Sequence, residues 1–87
     1  MNAPVKIQPR QSALELLNLI ETLEGLGRSA QAILSTMEIE GAYRRFSGGA
    51  YFVRFRGVVG SSKTDGQSLI NAWKCAARSK FKLGEFA

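Results

Sequence analysis

The sequence contains no histidine, a single cysteine (Cys75) and only two prolines, Pro4 and Pro9. Without histidine, Ser-His-Asp and Cys-His catalysis, histidine general bases and His-containing zinc sites are all unavailable. One cysteine forbids an internal disulfide and any multi-cysteine metal site, so neither a metal nor a cofactor is expected. Carboxylates are sparse, 7 Asp+Glu in all, and none cluster as an acid-base site requires. Glu38 and Glu40 are close together, but they precede Gly41 at an expected helix end and read as solvated charge. No catalytic residue is assigned, and the chain reads as non-enzymatic. No apolar run approaches the roughly 18 residues of a membrane span. The first ten residues show no basic segment leading into an apolar one. A cytoplasmic protein without membrane contact is the expectation.

What is present suits a small binding module. The 87 residues are 45% hydrophobic, enough for one folded domain with a modest core. The net charge of +5 is unevenly distributed. Residues 1–40 hold three cations against five carboxylates, a balance of −2; residues 41–87 hold nine against two, a balance of +7. The basicity belongs to the second half.

Periodicity predicts the elements. Residues 1–10, with both prolines, read as a mobile arm, and 11–87 as a single domain. Ser12 and Glu15 match the S-x-x-E capping box, followed at helical spacing by Leu16, Leu19, Ile20, Leu23 and Leu26. Leu14 and Leu17 widen that stripe beyond what one small sheet covers, which predicts a homodimer through this leucine-rich helix. Gly25 and Gly27 end the helix, and Ser29 caps a second one reaching about Glu38.

After Gly41 the pattern alternates. Ala42 to Phe46, Ser47-Gly48-Gly49 and Ala50 to Arg56 read as strand, tight turn, strand. Tyr43 and Tyr51 are expected to pair across this hairpin. A short third strand runs from Val58 to Ser61. Thr64 and Gln67 form a T-x-x-Q box opening a last helix from about Asp65 to Lys82, with Trp73 as a core anchor and Cys75 at the margin of the packed face. The expected fold is α+β, in the order α-α-β-β-(β)-α, with helices packed on one face of an antiparallel sheet.

Several segments invite a chemical reading. Gly57-Val58-Val59-Gly60-Ser61-Ser62-Lys63-Thr64 approaches the phosphate loop G-x-x-x-x-G-K-[ST], but Ser62 stands where that loop needs glycine. What remains is a candidate anion site formed by Ser61, Ser62, Lys63 and Thr64 at a helix start. Phe52, Arg54 and Arg56 share one strand face, opposite Tyr51, Val53 and Phe55. With Arg44 and Arg45 on the neighbouring strand, and with Lys74, Arg78 and Lys82 as an i, i+4 stripe on the last helix, they form the candidate binding set.

Val53 to Gly57, Gly60 to Lys63 and Ala76-Ala77-Arg78 resemble the end of double-stranded-RNA-binding domains over roughly the last 35 residues. Asp65 and Gly66 replace the lysine cluster of that pattern, and the alanine pair comes later. The strand-strand-Thr-helix layout with Asn71-Ala72 is similar to HicB-type antitoxins, which lack the helical first half. Neither likeness assigns a family. Two partners fit the basic set: nucleic acid, or an acidic protein surface. The second would make the chain an inhibitor or adaptor of the kind phages and mobile elements carry, for example against a host defence complex.

Overall fold

A computed structural model of the chain describes residues 9–81. The arm expected at the start therefore lies outside the described residues, except for Pro9 and Arg10, which are helical. The first helix, α1, spans Pro9–Gly25 and begins before the expected cap. Proline suits a first helical turn, where its missing N–H has no partner to lose. Ser12 consequently lies inside α1, 7% exposed, and Glu15 accepts a hydrogen bond from Gln11 Nε2 one turn earlier (3.1 Å). The predicted capping box is not formed. The apolar i, i+3, i+4, i+7 set of Ala13, Leu16, Leu17 and Ile20 is buried in the core, and this packing sets the helix's orientation.

The region 12–38 forms two helices. At the end of α1 the Arg28 amide donates to the Leu23 carbonyl (3.0 Å) and the Gly27 amide to that of Glu24 (3.0 Å), a Schellman closure. α2 follows at Ala30–Ile39, with Ser29 Oγ accepting from the Ala32 amide (3.2 Å) as predicted. The same closure recurs at its far end, where Ala42 N–H donates to Met37 O (2.9 Å) and Gly41 N–H to Glu38 O (3.0 Å). Gly41 sits at φ +113°, a conformation other residues rarely adopt, and it turns the chain from helix into strand.

Three strands, β1 (Tyr43–Ser47), β2 (Ala50–Phe55) and β3 (Val58–Ser62), form an antiparallel sheet in the order β1-β2-β3. Two-residue turns join them: Ser47 pairs with Ala50, and Phe55 with Val58. Tyr43 and Tyr51 do not pair. Tyr43 opposes Arg54, and Tyr51 opposes Phe46 with ring centroids 4.7 Å apart.

α3 spans Gln67–Phe81. The T-x-x-Q box is not formed here either. The Gly66 carbonyl accepts from the Leu69 and Ile70 amides (3.1 and 3.2 Å), so the helix starts two residues later than its pattern suggested. Gln67 instead donates to Glu24 and Asn71.

The helices cover one face of the sheet. Val53, Phe55 and Val58 pack with Ile33, Leu34 and Met37 of α2, Leu69, Ile70, Trp73 and Ala77 of α3, and the buried stripe of α1. Each large side chain fully buried this way contributes about 1.5–3 kcal/mol. Phe55 meets the edge of Trp73 at 6.2 Å. The backbones of α3 and β3 approach closely at Gly60. A Cβ there would stand 2.4 Å from the Trp73 backbone nitrogen, so no larger residue fits without separating strand from helix.

The leucines that predicted a dimer lie wholly or partly in this core. Leu16 and Leu17 are buried, and Leu14 and Leu19 pack against them. The exposed large apolar residues among those described are Leu26, at the end of that stripe, and Ile39, Tyr43, Phe46 and Val59.

Candidate functional site

The sequence's acidic and basic halves meet across the α1–α3 contact. Lys74 Nζ bonds both Glu24 carboxylate oxygens (2.8 and 3.0 Å), and Arg78 pairs with Glu21. Gln67 Nε2 adds a third hydrogen bond to Glu24 (2.6 Å). Burial pushes the Glu24 carboxyl up, but hydrogen bonds from Lys74 and Gln67, with the charges of Lys74 and Arg78, outweigh it and hold the group below its ordinary value. The predicted stripe on α3 is real as a spacing. Its first two members, however, face carboxylates of the same chain, and Lys82 lies outside the described residues.

Arg44 is displaced from the expected face by register. It opposes Val53, so it lies on the helix-covered side. Its guanidinium donates to Glu38 (3.3 Å), Gln31 (3.4 Å) and Asp65 (3.3 and 3.4 Å), tying α2, β1 and the start of α3 together. Arg56 leaves the strand face as well. It occupies the β2–β3 turn at φ +51°, over the Phe55 ring at 5.8 Å.

The predicted anion site is differently engaged. Ser62 Oγ accepts from the Thr64 amide (3.2 Å) and donates to Ser68 Oγ (3.0 Å), and Thr64 and Ser68 share a further hydroxyl contact. The Asp65 carboxylate takes the Gly66 amide (2.8 Å), so a negative group of the chain already stands before α3. Lys63 is exposed just beyond β3, in no ion pair among the described residues, and Ser61 faces away on the outer side of the sheet opposite Phe52.

That outer side is the site the structure brings together. Tyr43, Arg45, Phe52, Arg54 and Val59 line one open depression, with no helix over it and no carboxylate among them. Arg45 stands over the Phe52 ring at 5.9 Å, and Arg54 over the Tyr43 ring at 5.8 Å. Each cation–π contact of this exposed kind is worth about 0.5–1 kcal/mol, enough to order the guanidinium groups without immobilising them. Tyr43 and Val59 were not among the candidates read from the sequence. Counting back from Gly48-Gly49 places Tyr43 opposite Arg54, and that register was the available signal.

Among the described residues, no group of three or more His, Cys, Asp or Glu side chains is placed to hold a metal ion, and no helix is long and apolar enough to cross a membrane. Cys75 is exposed on α3 rather than at a packed margin. No known family, curated protein or solved structure matches the chain.

Proposed function

We propose that the chain is a small, non-catalytic binding module that contacts nucleic acid through the outer face of its sheet. One observation carries the reading: an uncovered face bears two aromatic rings and two guanidinium groups and lacks any carboxylate. Aromatic groups offer stacking surface, and arginines neutralise phosphate while stacking as well. The contribution first expected from α3 recedes, because Lys74 and Arg78 are held by Glu24 and Glu21. Arg56 and Lys63, exposed on the turn and just beyond β3, add positive charge beside the face.

Binding measured by gel shift at about 50 and 200 mM salt tests this. With two to four phosphates neutralised, affinity is expected to fall roughly tenfold or more across that range. Replacing Arg45 and Arg54 together by alanine should flatten the dependence. Binding that ignores salt, or no binding by a folded sample, refutes the proposal and turns attention to an acidic protein partner.

A further inference from the structure

Resting on that reading of the outer face, we infer that its ligand is a single strand, with two unstacked bases seated on Tyr43 and Phe52. These residues and their partners form a checkerboard. Tyr43 opposes Arg54 and Arg45 opposes Phe52, so along each strand, as across the pair, a ring alternates with a guanidinium. The two rings fall on one diagonal and the two guanidinium groups on the other.

Spacing decides what such a pattern accepts. Diagonal neighbours in an antiparallel pair stand about 7–8 Å apart. Successive bases along a duplex strand repeat at about 3.4 Å. Two adjacent bases still stacked on each other therefore cannot both meet a ring. Two bases splayed from an extended strand can, each taking the ring face that a guanidinium now stands over at 5.8 or 5.9 Å, while the two displaced guanidinium groups meet the phosphate that links the bases. A duplex keeps its base faces inside its own stack and could offer this surface only backbone and groove edges. The ring faces themselves accept any base, so weak sequence preference is expected.

The 87-residue chain would be titrated, by fluorescence anisotropy at low salt, against strands of about twelve nucleotides, within the site sizes such grooves cover. The probes are oligodeoxyuridylate, oligouridylate, an abasic strand of equal charge and a mixed-sequence duplex. At least one base-bearing single strand should bind tenfold or more tightly than both the abasic strand and the duplex. A preference between the two base-bearing strands names the sugar and supports the inference either way. Tyr43→Leu and Phe52→Leu keep the net charge and should each weaken single-strand binding about 5- to 100-fold, the range of one lost stacking contact. The abasic comparison uses the unaltered protein and holds whether or not the variants fold. Equal, salt-dependent binding of the duplex or the abasic strand overturns the stacking inference and leaves a nucleic-acid interface standing. Absence of binding to every probe overturns both.

Discussion

Side chains along β1 alternate between two environments, and Arg44 and Arg45 show how much one step of register changes. Arg44 is enclosed among Glu38, Gln31 and Asp65, its side chain 22% exposed. Arg45 is exposed on the opposite face, over a ring. Replacing Arg44 by alanine strands two carboxylates and should lower stability by about 1–2 kcal/mol, with little effect on nucleic-acid affinity. Replacing Arg45 should do the reverse. Urea denaturation paired with binding titrations on the two variants checks this, and matching behaviour would contradict the assignment of faces. Composition could not separate these neighbours, since both are arginine in a strand. Register could: once Gly48-Gly49 is taken as the two-residue turn, every cross-strand partner follows by counting.

The hairpin and the core faces of the elements were legible because their patterns are local and periodic. Ser29 as a cap, the glycine turn and the Val53/Phe55 face are all of this kind. Both four-residue capping patterns misled. Ser12–Glu15 lost to a proline-started turn and to burial of α1, and Thr64–Gln67 to a backbone cap at Gly66. The pairing of α3 with α1 was invisible, since Glu24 and Lys74 are brought together only by tertiary packing.

That pairing has a pH signature. The Glu24 carboxyl is held below its ordinary value in the folded chain, so its contribution is complete above the unfolded pKa, about 4.3. It is lost as pH falls through the lowered folded value. Glu24→Gln should therefore be less stable than the parent at pH 7, by about 1 kcal/mol for a pair whose side chains are 14% and 24% exposed, and the gap should narrow towards pH 3. Urea midpoints at the two pH values measure it; a constant gap would contradict the linkage.

For the molecule as a whole, the charge excess is redistributed rather than displayed uniformly. Pairing between the acidic and basic halves consumes Arg44, Lys74 and Arg78. Among the described residues, Arg45, Arg54, Arg56 and Lys63 keep their charge on or beside the uncovered sheet. Leu16, Leu17 and Ile20 of the α1 stripe are likewise buried inside the chain, with Leu14, Leu19 and Leu23 partly buried against them. Leu16→Ala should cost about 2–5 kcal/mol as a cavity within one chain. The thermal midpoint of the unaltered protein should not move with protein concentration, as it would if folding required a second copy. A midpoint rising steadily with concentration would favour the homodimer through α1.

The strand order carries one more consequence. β1 is hydrogen-bonded only to β2, so its other flank presents backbone donors and acceptors with no partner strand among the described residues. Such an edge is a template for another extended chain. β1 is five residues long and carries two adjacent arginines at its centre, one anchored inward and one outward. Short length and central charge are devices that discourage edge-to-edge growth. The outward Arg45 thus sets a charge in the middle of the open edge, whatever ligand the outer face receives.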